Sequence, residues 1–94
     1  MNEELKEQMI QLLGYSLFNL IMSPYHARPY SFNYLKNHKI YTSLSSGERA
    51  LVLLAYDIYN GSGKISLKDL NCLDYDNRMR ALSAIQNFLR VPRT

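Results

Sequence analysis

The sequence predicts a mainly α-helical fold, a small domain of three to four helices with a long irregular segment between the first two. Three observations lead to this prediction. The chain has 94 residues, enough for one domain over residues 1–94. Its content of 47% hydrophobic and 20% charged residues is typical of a globular protein. Hydrophobic residues also recur at helical spacing in three stretches of the chain.

The first helix is predicted over residues 2–22. Asn2 is a suitable N-cap, and the carboxylates of Glu3 and Glu4 favour the positive end of a helix. Pro24 ends the helix. Apolar residues surround it near Phe18, so we expect its second half to be buried. Because a domain this short does not cover such residues alone, we also expect a homodimer.

Residues 24–46 are basic and rich in aromatic side chains, and we call them the basic aromatic segment. Its cations are Arg28, Lys36 and Lys39, and no acidic residue offsets their charge of +3. Tyr30, Phe32 and Tyr34 alternate with polar residues, which is a strand pattern, but two prolines confine any strand to an edge. We expect a long ordered loop with one short β-strand, or a short helix around residues 32–37.

The central helix is predicted over residues 48–59. Ser45 and Glu48 have the spacing of a capping box, and Gly61 suits the end of the helix. Residues 50–59 are apolar in nearly every direction, as in a helix that packs between two others. Residues 64–67 then predict a very short strand. Ser66 and Asp69 predict the start of a short helix that continues to residue 72.

The last helix is predicted to begin after the N-cap Asp74 and to end before Pro92. Its expected core face consists of Met79, Leu82, Ile85 and Leu89, widened by Ala81 and Phe88. Arg80 points away from that face.

Cys72 is the only cysteine, so the chain forms no internal disulfide. It lies among Leu70, Leu73 and Met79, and we expect it to be buried as a small hydrophobic residue. A single cysteine fits a reducing compartment, and we expect a cytoplasmic protein. The acidic start of the chain lacks the basic region of a signal peptide. Polar residues interrupt the most apolar stretch, residues 9–22, so we expect no membrane partner.

We expect no enzymatic activity, no cofactor and no metal site. His26 and His38 lie in a polar segment without a cysteine or an acidic cluster beside them. The turn at residues 61–64 resembles part of a phosphate-binding loop, but Ile65 stands where that loop needs Ser or Thr. The same region resembles an EF-hand loop, yet at most one carboxylate falls on a ligand position.

The basic aromatic segment carries the functional prediction. Tyrosine and arginine are favoured in protein–protein hot spots, and rings beside cations also suit stacked bases and phosphates. We expect a small interaction protein that binds and modulates a partner protein; the alternative is a nucleic-acid-binding regulatory protein that uses the same segment. The expected partner-binding residues are Tyr25, His26, Arg28, Tyr30, Phe32, Tyr34, Lys36, His38, Lys39, Tyr41 and Arg80.

The composition also carries a resemblance. The chain has eight tyrosines and no tryptophan, with many Asn, Lys and Ile residues. In these respects it resembles the short accessory proteins of phages and mobile elements of low-GC Gram-positive bacteria. The resemblance implies a protein that inhibits or redirects a host protein.

Overall fold

The computed structural model describes residues 1–90, which fold into six helices around one hydrophobic core. The helices are α1 (Glu3–Ile21), α2 (Phe32–Leu35), α3 (Lys39–Thr42), α4 (Ser46–Asn60), α5 (Leu67–Asn71) and α6 (Tyr75–Leu89). The three long helices, α1, α4 and α6, contact one another pairwise. A mainly helical fold is therefore confirmed, with six helices where the sequence predicts three to four. Pro92, expected to follow the last helix, lies outside the described residues.

Helix α1 begins as predicted and is bent at its centre. The side-chain oxygen of Asn2 accepts a hydrogen bond of 2.7 Å from the Leu5 N–H. Gly14 has φ +77° and ψ 163°, a conformation that interrupts the helical backbone and that glycine adopts without steric cost. The sequence predicts an uninterrupted helix here, and the structure corrects that prediction.

The second half of α1 is amphipathic rather than buried all round. Leu17, Phe18 and Ile21 are buried, whereas Tyr15 and Leu20 are exposed. Only one side of this half faces the other long helices, so the opposite side remains in contact with solvent. Because the chain's own core covers Phe18, the reason for expecting a homodimer through α1 is removed.

Helix α4 is the most deeply buried element. Its capping box is confirmed: the Ser45 hydroxyl accepts from the Glu48 N–H at 3.2 Å, and the Glu48 carboxylate accepts from the Ser45 N–H at 2.9 Å. Its core side chains are Ala50, Leu51, Val52, Leu54, Ala55, Tyr56 and Ile58. Gly61, with φ +76°, ends the helix in the left-handed conformation.

The turn after α4 is held by Asp57 and not by strand pairing. The two carboxylate oxygens of Asp57 accept hydrogen bonds from the N–H groups of Lys64 at 2.6 Å and Ile65 at 2.7 Å. Gly63 packs directly on the α4 backbone, where an added Cβ atom would overlap the carbonyl oxygen of Leu53. Because these contacts fold the chain back onto α4, residues 64–67 do not form the predicted strand.

The short helix α5 starts at a capping box between Ser66 and Asp69, as predicted. Cys72, at its end, is exposed and its thiol approaches the Lys68 carbonyl oxygen at 3.5 Å. The prediction of a buried thiol is therefore wrong, because the neighbouring Leu73 takes the core position.

Helix α6 begins after the predicted N-cap, since the Asp74 carboxylate accepts from the Asn77 N–H at 2.9 Å. Its buried residues are Ala81 and Ala84, and Ile85 is half-buried. Of the predicted core face, Ala81 and Ile85 are confirmed, whereas Met79, Leu82, Phe88 and Leu89 are exposed, so that part of the prediction is wrong. The face of α6 that contacts α1 and α4 is thus centred on the two alanines, and the larger residues lie mainly on the opposite side.

Within residues 1–90 the backbone forms no sheet, and its one β-bridge joins Met22 and Pro29. Residues 32–35 form a short helix with Ser31 as N-cap, so of the two alternatives for this part of the segment the short helix is confirmed and the strand is not. None of the helices in this part of the chain is long and apolar enough to cross a bilayer.

Candidate interaction surface

The basic aromatic segment begins with a closed turn between α1 and α2. Two backbone hydrogen bonds of 2.8 Å close it, from the Ser23 N–H to the Arg28 carbonyl and from the Tyr30 N–H to the Ile21 carbonyl. The buried Ser23 hydroxyl also accepts from the Tyr25 N–H at 3.3 Å. The turn therefore presents Tyr25, His26 and Arg28, all exposed, from a fixed backbone.

Three rings follow one another along the next part of the segment, and we call them the ring ladder. The ring centroids of Tyr30 and Tyr34 are 5.1 Å apart, and those of Tyr34 and His38 are 5.4 Å apart. The three residues are four apart in the sequence; Tyr34 lies in α2, Tyr30 precedes that helix and His38 follows it. Tyr34, in the middle, is 52% exposed, while Tyr30 and His38 are half-buried.

Phe32 and Tyr41 face the core instead of the solvent. The Phe32 ring centroid lies 5.2 Å from that of the buried Tyr56 and 5.7 Å from that of Tyr41. Both residues are half-buried against the core cluster. The structure thus divides the aromatic residues expected to bind a partner: Tyr25 and Tyr34 are exposed, and the other three line the core.

Tyr56 anchors the segment to α4. Its hydroxyl donates a hydrogen bond of 2.6 Å to the carbonyl oxygen of Tyr30. Burial raises the pKa of the Tyr56 phenol well above its usual range, and the neighbouring Tyr59 raises it further. The phenol is therefore held as a neutral donor that fixes the start of the ring ladder.

The two histidines have different surroundings. His38 is the N-cap of α3, and its Nδ1 accepts a hydrogen bond of 3.1 Å from the Ile40 N–H. His26 is exposed on the turn. No cluster of three or more His, Cys, Asp or Glu side chains suited to a metal ion is found in residues 1–90. The structure thus gives His38 a capping role that the sequence analysis did not assign.

The cations of the segment are exposed and have no carboxylate partner in the described part of the chain. Arg28, Lys36 and Lys39 are all exposed. The one ion pair among residues 1–90 joins Arg90 and Glu4, whose charged groups are 3.8 Å apart. Neither residue belongs to the basic aromatic segment. The positive charge of the segment is therefore available to an external partner.

Arg80 lies in a separate groove. This groove, of about 300 Å³, runs between α1 and α6 and is lined by Gln8, Gln11, Leu12, Asp76, Met79, Arg80, Ser83, Ala84 and Asn87. None of these residues belongs to the basic aromatic segment, so the structure does not bring Arg80 together with the other expected residues. The remaining exposed residues are Tyr25, His26, Arg28, Tyr34, Lys36 and Lys39, and we call them the basic ring surface.

A small cleft at the edge of the segment was not found from the sequence. It has a volume of about 160 Å³, and Tyr41, Arg49, Asp69 and Cys72 are among its lining residues. Burial raises the pKa of Tyr41, and Arg49 opposes this shift. Hydrogen bonds from Ser66 lower the pKa of Asp69. No spacing in the sequence indicates this cleft, because its residues come from three different helices and a helix end.

The chain was also compared with known proteins. Comparisons with protein-family models, with curated proteins and with solved structures find no match. The arrangement of the basic ring surface is therefore the basis for a functional proposal. This arrangement offers exposed rings, guanidinium and ammonium groups, which bind by stacking and charge pairing.

Proposed function

We propose that the protein is a non-enzymatic interaction module that binds an acidic partner protein through the basic ring surface and thereby modulates that partner. The observation that carries this proposal is the position of Tyr34, exposed yet held between the rings of Tyr30 and His38. A ring that is already fixed loses little conformational entropy when it is buried in an interface. Tyr34 is therefore suited to act as a hot-spot residue.

The three cations of the segment supply the second part of the proposal. Arg28 lies on the turn, and Lys36 and Lys39 follow α2 and begin α3. Since no carboxylate in residues 1–90 contacts them, they are free to pair with carboxylates of a partner. Such pairs accelerate encounter and select a partner of opposite charge.

The test compares two double variants. Y34A/K36A removes one ring and one cation from the basic ring surface, and Y15A/K6A removes the same residue types from exposed positions of α1. We expect partners captured by the wild-type protein from its host to be retained by Y15A/K6A and lost by Y34A/K36A. With a purified partner, Y34A/K36A should raise the Kd by roughly tenfold to a hundredfold. Equal affinities of the two variants would contradict the proposal.

Nucleic acid is the alternative partner, because bases stack on exposed rings while cations contact phosphates. The experiment that separates the alternatives measures affinity for random duplex and single-stranded DNA at increasing salt. A steep linear fall of log K with log salt, weaker by about one in slope in Y34A/K36A, would establish the nucleic-acid alternative. If DNA binding is undetectable, or if its affinity hardly changes with salt, the result favours a protein partner.

We further propose that the chain is a cytoplasmic accessory protein of a phage or mobile element that inhibits or redirects a host protein. Its composition, with eight tyrosines and no tryptophan, supports this proposal. Expression in a low-GC Gram-positive host should slow growth, and Y34A/K36A should relieve the effect. Equal growth of cells that carry the wild-type gene and cells that carry an empty vector would contradict this second proposal.

A further inference from the structure

We propose that the outer face of α6 is a self-association surface, on which a second copy of this chain packs its own α6 in antiparallel orientation. This face, the α6 stripe, consists of Tyr75, Met79, Leu82, Gln86 and Leu89. Their spacings of three and four place them on one side of the helix. The buried Ala81 and Ala84 lie on the opposite side, so the stripe faces solvent.

The apolar area of the stripe is large for so small a protein. Leu67 borders it across a groove that Leu82 also lines. The exposed fractions are 84% for Leu67, 75% for Tyr75 and 61% for Leu89, and Met79 and Leu82 are about half exposed. Together these side chains expose on the order of 600 Å². A stable dimer buries about 800 Å² on each partner, so this area with a polar rim is sufficient.

The order of residues in the stripe suits a second copy. Leu82 lies at the midpoint of α6, and Tyr75 and Leu89 are each seven residues away from it. A two-fold axis through an antiparallel pair of helices brings Leu82 against its own copy. The same axis brings Tyr75 of one chain against Leu89 of the other, so that every large residue of the stripe is covered.

The charges along one edge of the stripe are also self-complementary. Asp76 and Arg90 lie on the edge that faces α1, since Asp76 lines the groove with Gln8 and Arg90 contacts Glu4. The two-fold axis keeps this edge on one side and brings Asp76 of one copy towards Arg90 of the other. Antiparallel packing also sets the positive end of one helix dipole beside the negative end of its neighbour.

Sedimentation velocity of the full chain at increasing concentration tests the proposal. We expect a concentration-dependent species of twice the mass of one chain. L82E should abolish this species, and the control L20E should retain it, because Leu20 and Leu82 are similarly exposed at 43% and 49%. D76R should weaken the dimer, and R90D should restore it in the D76R background. A wild-type protein that remains monomeric, or a dimer that survives L82E, overturns the proposal.

Disulfide trapping in a C72S background tests the geometry without relying on L82E. Only the central residue of an antiparallel pair meets its own copy. Under mild oxidation, L82C should therefore form a cross-linked dimer, and L89C alone should not. A mixture of Y75C and L89C chains should cross-link with each other. Self-cross-linking of L89C as fast as that of L82C, or no cross-linking of L82C, overturns the antiparallel arrangement.

Discussion

The hydroxyl of Tyr56 donates a hydrogen bond of 2.6 Å to the carbonyl oxygen of Tyr30, and this bond ties the central helix to the basic aromatic segment. The same buried ring also packs against the ring of Phe32, on the core side of the segment. The position of the exposed Tyr34, which packs on Tyr30, therefore depends on a residue of the core.

Y56F should lower the free energy of unfolding by about 1–3 kcal/mol, because the partly buried Tyr30 carbonyl loses its donor while the ring packing is kept. Urea denaturation measures this difference. Y59F is the control, since the Tyr59 hydroxyl donates no hydrogen bond in the described structure and its loss should change stability little. Equal effects of the two variants would show that the Tyr56 hydroxyl is not the anchor.

Alkaline pH should destabilise the protein through Tyr56. Burial raises the pKa of this phenol in the folded state, whereas the pKa of a tyrosine in the unfolded chain is about 10. Above that pH the unfolded state releases the proton more readily, so the free energy of unfolding falls as the pH rises. Urea titrations from neutral to alkaline pH should therefore show the gap between wild type and Y56F narrowing. A gap that stays constant argues against the raised pKa.

Phe32 and Tyr34 should respond differently to truncation. F32A removes a ring that packs on Tyr56 and Tyr41, and should cost about 2–4 kcal/mol of stability. Y34A removes a half-exposed ring and should cost less than about 1 kcal/mol. Thermal denaturation of both variants measures the contrast. A larger loss for Y34A would place Tyr34 in the core and not in the basic ring surface.

The two glycines of the turn after α4 should also differ. G63A places a Cβ atom on the Leu53 carbonyl oxygen and should cost about 2–4 kcal/mol, because the turn must move away from α4. At Gly61 nothing lies within 4 Å of an added Cβ, and only its positive φ is unfavourable. G61A should therefore cost about 1 kcal/mol in the same chemical denaturation experiment. A milder effect of G63A than of G61A would disprove the close approach.

The orientation of α6 can be tested by size changes on its two faces. A81L adds three carbons where the helix packs against its neighbours, and should cost about 1–3 kcal/mol. L82A removes a half-exposed side chain from the outer face and should cost less in a monomeric sample. Denaturation at a low protein concentration gives both values. A larger loss of stability for L82A than for A81L would instead place Leu82 in the core.

Helix boundaries could be predicted from the sequence because they depend on local chemistry. Asn2, Ser45 and Asp74 each place a side-chain acceptor within reach of an N–H three residues later. Gly61 likewise needs only its own backbone freedom. Such interactions involve neighbours along the chain, and the residue types alone indicate them.

The packing of the helices could not be predicted in the same way. In α6 apolar residues occupy most of the helix surface, and periodicity places both Met79 and Ala81 on the predicted core face. In the structure Ala81 and Ala84 face α1 and α4 and Ile85 packs beside them, whereas Met79 is exposed. The division of the aromatic residues between core and surface depends on the same long-range contacts, above all on Tyr56 beneath Phe32.

The bridge between Met22 and Pro29 closes the turn of residues 23–28 at the end of α1. The chain leaves α1 and returns to its end at nearly the same place, so we expect substitution of the exposed side chains of Tyr25, His26 and Arg28 to change the stability of the bundle little. Under the proposed function, variation of these exposed side chains would change which molecule the protein binds while the helices keep their packing. The same geometry makes this turn the natural place to graft a foreign recognition loop.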